Sequence, residues 1–144
     1  KGKQQEKKDV LSVAELPGIR YVTTCSASYP LDLFDKIKKA KEISGTKYIH
    51  IHIPCPPGWG FDTKDTVKMG RLAVETGLFD LYEIIDGKFS LTGPSLKISE
   101  GKKQKLRPVK EYYNAQTRFS VLDDSRIDYV QEQINRKWKE YFKK

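Results

Sequence analysis

The stretch that decides the fold is "IRYVTTCSASYPLDLFDKIKKAKEISGTKYIHIHIP", Ile19 to Pro54. It opens on "IRYVTT", β-branched and aromatic, which predicts a strand. "CSASYP" follows as a loop of small residues. "LDLFDKIKKAKEI" then sets Leu31, Phe34, Ile37 and Ile43 on one helical stripe with lysines opposite. Gly45 closes the helix, and "KYIHIHIP" reads as a second strand. Strand, loop, helix, turn and strand in this length make a βαβ unit with parallel strands. Ligands of open parallel sheets bind beyond the carboxyl ends of the strands. The loops there are "CSASYP" and "PCPPGWG", so both cysteines, Cys25 and Cys55, are expected at one edge of the sheet.

Upstream, "KDVLSVAEL" (residues 8–16) predicts a short helix ended by Pro17-Gly18. Downstream, residues 62–76 predict a helix capped by Asp62 or Thr63, with Val67, Leu72 and Val74 on its apolar side and Gly77 at its end. "LYEIIDGKFSL" alternates around Asp86-Gly87, a type I′ hairpin signal. Residues 92–107, rich in Gly, Pro, Ser and basic side chains, are expected to be exposed loop. "RPVKEYYNAQTRF" predicts a short helix with Pro108 in its first turn. A last helix begins near Asp124-Ser125, with Ile127, Val130, Ile134, Trp138 and Tyr141 as its apolar stripe. Two parallel strands and a hairpin form a small sheet, whereas parallel strands ordinarily have neighbours on both edges.

The bulk numbers bound the class. The 144 residues suit one domain with a real core; 38% are hydrophobic and 32% charged, as in a charged globular chain. No apolar run approaches the ~20 residues of a membrane span and no signal-peptide core is present, so a soluble, cytoplasmic protein is expected, without a membrane role. The net charge of +8 gathers in the first eight residues, in "KKQKLR" (102–107) and in the last helix. It admits an acidic partner; no recognised nucleic-acid module accompanies it. A basic α/β module that docks an acidic protein or nucleic acid without catalysis is the alternative reading.

Within "YIHIHIPCPPGWGF" (Tyr48 to Phe61), Tyr48, His50 and His52 share one strand face and Ile49, Ile51 and Ile53 the other. His50, His52 and Cys55 offer three zinc ligands, one short of a structural site. A histidine within a parallel strand is more often a packed residue than a ligand. Cys55 differs. Pro54, Pro56 and Pro57 fix φ around it and exclude helix. Gly58 and Gly60 permit a close backbone approach, and Trp59 and Phe61 can keep water off. A rigid, shielded loop suits a thiolate on an iron–sulfur cluster; a buried cysteine in a proline-rich turn is the plainer possibility.

"YIHIHIPCPPGWGF", "RLAVETGLFDLYEIIDGKFSL" and "RPVKEYYNAQTRF", in this order, resemble the carboxyl half of the β subunit of pyruvate:ferredoxin oxidoreductase and related 2-oxoacid:ferredoxin oxidoreductases. "KKD" through "YVTTCSASYP" fits the same family, and the likeness weakens over 92–106 and the last helix. The resemblance implies a fold class of α/β, the carboxyl half of a thiamine-diphosphate-binding parallel-sheet domain (1–91, with the βαβ unit and hairpin) carrying a basic loop and helical C-terminal tail (92–144). It implies oxidative decarboxylation of a 2-oxoacid, with pyruvate expected, to acyl-coenzyme A and CO₂, electrons passing through [4Fe–4S] clusters to ferredoxin. Cofactors implied for the complete enzyme are thiamine diphosphate, Mg²⁺ and a [4Fe–4S] cluster. Cys55 matches the family's fourth cluster cysteine, Ser26 and Ser28 fall in the loop near thiamine diphosphate, and Cys25 is expected to be a small packed residue. No catalytic side chain is assigned.

The family's other three cluster cysteines and its GDG-type diphosphate and Mg²⁺ segment belong upstream of Lys1, and this chain lacks them. With Met69 its only methionine, the chain is expected to be the carboxyl part of a longer β subunit, inactive alone. The expected partners are the amino-terminal part of that subunit, the α and other subunits, and ferredoxin, with a 2-oxoacid and coenzyme A as substrates. Lysines of the 102–107 run are expected to meet an acidic partner, either ferredoxin or, equally, the α and other subunits.

Overall fold

The computed structural model describes residues 18–101 and 105–142; the helix expected over 8–16 lies outside them. Strand β1 (Ile19–Ser26) is the centre of a four-stranded sheet of order β2-β1-β3-β4. It pairs in parallel with β2 (Thr46–His52) on one side, Cys25 opposite Ile51 and Ser26 opposite His52. On its other side it pairs antiparallel with β3 (Tyr82–Ile85), Thr23 opposite Glu83. β3 continues into β4 (Lys88–Leu91). The chain is thus α/β with a mixed sheet, and among the described residues the parallel pairing lies in the βαβ unit. The hairpin turns as its sequence dictates: Asp86 and Gly87 both have positive φ, 47° and 79°, the type I′ requirement.

β1 runs two residues further than "IRYVTT", taking Cys25 and Ser26 from the expected loop. Only residues 27–29 then separate it from α1 (Pro30–Glu42), which opens on proline where a missing N–H costs nothing. The packing of α1 is unusual. Its apolar stripe does not meet the sheet: Leu31 is 80% exposed, Phe34 66% and Ile37 37%. Lys36 and Ala40 are buried instead. Lys36 Nζ donates to the Thr24 carbonyl at 2.8 Å and to Asp32 Oδ2 at 2.7 Å. Lys39 pairs with Glu83, which also accepts from the Tyr21 hydroxyl. The sheet face under α1 carries Tyr21, Thr23 and Glu83, so it is polar where a helix stripe would want hydrocarbon. The polar side of the helix satisfies it.

Beyond β2, Pro56–Trp59 form a single helical turn, α2, although the prolines were expected to exclude helix. They occupy its first two positions, whose N–H groups have no partner in any helix. Asp62 caps a 3₁₀ turn at Thr63–Asp65, accepting from Lys64 N at 3.0 Å. α3 (Thr66–Glu75) starts only after it. Its core side is Met69, Leu72, Ala73 and Val74, with Phe79, Leu81 and Tyr112; Val67 points outward. Residues 92–107 are not simply loop. α4 (Gly93–Ser99) buries Ser95 and Ile98, and the basic composition around it masked the helix.

α5 (Val109–Asn114) and α6 (Asp124–Tyr141) complete the chain. Ile127, Ile134 and Trp138 are the buried part of the expected α6 stripe and pack with Ile98 and Val109; Val130 and Tyr141 line the margin. Tyr141 also stacks on Phe89 of the hairpin, ring centroids 5.7 Å apart. Asp80 fastens this corner by a 2.7 Å ion pair to Lys137.

Candidate functional site at the carboxyl ends of the parallel strands

The sheet brings its two expected loops together. After Ser26 the chain leaves β1 with one more bridge to β2, Ala27 N to the His52 carbonyl at 3.1 Å. Ser28 and Pro54 then converge on α3 at Gly70. A Cβ at that position would overlap Ser28 Oγ, lie 2.8 Å from Ser28 Cβ and 3.3 Å from Pro54 Cγ. Glycine is required there because a helix backbone is the floor on which both loops rest. Ser26 and Ser28 are buried, and the Ser26 hydroxyl accepts from Ser28 N at 3.3 Å. Next to them, the Tyr29 hydroxyl donates to Glu75 at 3.2 Å, and Arg107 holds the other oxygen of Glu75 at 2.9 Å. Burial, reinforced by the Glu75 carboxylate, pushes the Tyr29 hydroxyl well above its ordinary pKa.

The two cysteines differ. Both are free thiols; Cys25 is buried and Cys55 exposed. Cys25 faces the polar layer under α1, and burial raises its pKa, which makes it a packed, unreactive residue. Cys55 sits at the start of α2, its carbonyl accepting from Trp59 N at 2.9 Å. Gly58 leaves room for its sulfur: a Cβ there would stand 3.2 Å from Cys55 Sγ.

The loop is held from behind by residues from the far end of the chain. Gly60, at φ 71°, would collide with Thr117 if it carried a Cβ, and its carbonyl accepts from Thr117 N at 3.0 Å. The Arg118 guanidinium lies 4.0 Å from the centre of the Trp59 ring, a cation–π contact. Trp59 in turn packs on His52, 5.7 Å between ring centroids. Thr117, Arg118 and Gly70 were not marked as site residues by the sequence. Their only local signal is the small or charged residue itself, and the partner lies tens of residues away.

His50 and His52 are half-buried, with Phe79 5.2 Å and 5.0 Å from them between ring centroids. Among the described residues no three His, Cys, Asp or Glu side chains gather to hold a metal. The histidines turn toward Phe79 and Trp59, into an aromatic layer, as packed strand residues do, and are not gathered with Cys55 as the zinc reading requires. A four-thiolate cluster does not fit this chain alone either, since it has two cysteines and only Cys55 is exposed. No helix among the described residues is long and apolar enough to cross a membrane.

Comparison with known proteins is consistent across organisms. The chain is 44% identical, over 134 residues and 93% of its length, to pyruvate synthase subunit PorB of Methanothermobacter thermautotrophicus. Against the PorB of Methanocaldococcus jannaschii it is 42% identical over 139 residues, 96% of the chain. Ketoisovalerate oxidoreductase subunit VorB of Pyrococcus furiosus is 33% identical over 135 residues, 94% of the chain. The chain spans less than half of each: 44% of the two PorB subunits and 42% of VorB. No protein-family model matches.

Proposed function

Since the chain belongs to the β-subunit family of pyruvate and other 2-oxoacid oxidoreductases, we propose that it is the cluster-proximal wall of such an enzyme, acting on pyruvate. Greater identity to the pyruvate synthase subunits than to the ketoisovalerate ones supports that substrate. The observation that carries the reading is Cys55: an accessible thiol on a braced loop at the carboxyl edge of parallel strands, where such sheets bind ligands. In this reading Cys55 supplies one thiolate of a [4Fe–4S] cluster, and the remaining ligands come from polypeptide beyond this chain.

Ser26, the last residue of β1, and Ser28, in the loop that follows, would border thiamine diphosphate and its Mg²⁺. Bound there, thiamine diphosphate supplies the carbanion chemistry of 2-oxoacid decarboxylation, and the protein's part is to bind and orient. Acyl transfer to coenzyme A and electron delivery to ferredoxin belong to the assembled enzyme, together with its α and other subunits, in the cytoplasm. The basic 102–107 run would by its charge suit an acidic partner; residues 102–104 lie outside the described residues, and Arg107 is already engaged by Glu75 and Glu111.

Assembly with the missing part of the subunit and the other subunits tests this. The expected complex contains iron, absorbs broadly in the visible and reduces ferredoxin when given pyruvate and coenzyme A. Cys55→Ala is expected to lower both the iron content and the absorbance. An unchanged spectrum in that variant removes Cys55 from the cluster.

A further inference from the structure

The loop that carries Cys55 is fixed at both ends and bare in between. Pro54 is buried against Gly70 where the loop begins, and the Gly60 carbonyl accepts from Thr117 N at 3.0 Å where it ends. Between them α2 buries none of its residues. A single helical turn has little stability of its own, because nucleation orders several residues for one hydrogen bond. The prolines lock φ within the turn, but they do not fasten the turn to the rest of the molecule. Cys55, extended at φ −111° and ψ 99°, and Gly60, left-handed at φ 71°, are the joints about which it can swing.

Trp59 ties the turn down, and its neighbours are not equivalent. Phe61, 6.2 Å away between ring centroids, follows on the same stretch of chain and steadies it little. His52 lies tilted by 46° to the indole at 5.7 Å, a packing contact from β2. Arg118 comes from a separate segment and sets its guanidinium 4.0 Å from the centre of the indole. That segment is itself anchored. The same guanidinium lies 4.4 Å from the Phe119 ring centre and donates to the Tyr112 hydroxyl at 3.3 Å, and Tyr112 is buried in the cluster that holds Leu72 and Phe79. The charge of Arg118 is thus met by two rings and a phenol. Tryptophan attracts a cation more strongly than the other aromatic rings, and a planar guanidinium stacks where an ammonium group does not.

We infer that Arg118 is the positioning residue of Cys55: through Trp59 it holds α2 in one place on the molecule and so sets the direction in which the exposed thiol is presented. Thr117 fixes where the loop ends; Arg118 fixes how the turn before it is oriented. A thiol that must meet an atom held by other polypeptide has to be held in direction as well as in place. The use of that thiol as a cluster ligand rests on the proposed function, whereas its placement by Arg118 does not.

Cys55 is exposed and Cys25 buried, so a thiol-reactive nitroxide on the chain of 144 residues reports this loop selectively. Its electron paramagnetic resonance line is expected to be that of a restricted label. Arg118→Ala should shorten the correlation time by about threefold or more, into the range of free loop motion, with far-UV circular dichroism and thermal unfolding unchanged. Arg118→Lys, which keeps the charge without the plane, should restore part of the restriction. Trp59→Leu removes the ring and keeps the arginine, and should free the label as much as Arg118→Ala does. In the double variant the arginine change should then add nothing, the signature of two groups acting as one contact. An unaltered line in Arg118→Ala, or loosening that adds in the double variant, overturns the inference. In the assembled enzyme, Arg118→Ala should lose iron to a chelator faster than the parent. A label freed by Arg118→Ala, together with a visible spectrum that Cys55→Ala leaves unchanged, would keep this role for Arg118 and sink the proposed function instead.

Discussion

Gly70 shows how one missing methyl group organises the site. Ser28 and Pro54 both lean on its bare backbone, one from each strand loop. Gly70→Ala is expected to cost about 1–3 kcal/mol, in the range of overpacked cores, measured by denaturant unfolding. The loss should shrink in a Ser28→Gly background, because the colliding side chain is then gone. At this scale the sequence was informative about Cys55, whose prolines and glycines announce a shaped loop, and about the packed character of Cys25. It was silent on Gly70, because glycine within a helical pattern carries no label for what presses against it. It was equally silent on Arg118, whose ring partner Trp59 lies in a different segment.

Among elements, α1 departs most from expectation. Helical periodicity in "LDLFDKIKKAKEI" located the helix and its apolar stripe, but hydrophobic periodicity identifies an apolar face without saying which surface covers it. The sheet beneath offers Tyr21, Thr23 and Glu83, and the lysines turn inward to meet them. Lys36→Met therefore strands the largely buried Asp32 carboxylate and the Thr24 carbonyl. A loss of about 3–5 kcal/mol is expected from breaking a buried pair by one partner, read from chemical unfolding. α6 behaves more conventionally. Asp123 caps it, accepting from Arg126 N at 2.9 Å, and the Ser125 hydroxyl together with that N–H holds its carboxyl below the ordinary range. A lowered folded-state value means the cap contributes fully above the unfolded carboxylate pKa, about 4, and fades as the pH falls through the lower folded value. Asp123→Asn, also a good cap, should keep most of the melting temperature at neutral pH and flatten its decline on acidification. Asp123→Ala should lower it at both.

In the whole molecule, the C-terminal segment braces the site as well as extending it. α6 closes on the core through Trp138, fully buried beside Gly77 and Ile134. Trp138→Ala should remove about 3–5 kcal/mol from the unfolding free energy and loosen the hairpin corner where Tyr141 meets Phe89. Element order, the βαβ crossover and the hairpin were legible because each is written in local periodicity and turn chemistry. The polar layer under α1, the helix within 92–107 and the brace on the Cys55 loop depend on contacts between distant segments, which no local pattern encodes. One further consequence follows from the place of β1 between two strands made at different times. Its second strand partner, β3, pairs Glu83 with Thr23, and the Tyr21 hydroxyl reaches Glu83 across 62 residues of sequence, about 3–12 s of synthesis on a ribosome adding ~5–20 residues each second. During that interval the nascent βαβ unit has one edge of its central strand unsatisfied. The chain's most hazardous moment is therefore before its hairpin emerges, and a chaperone that shelters Ile19 to Pro54 should raise the yield of folded protein more than one acting on the finished chain.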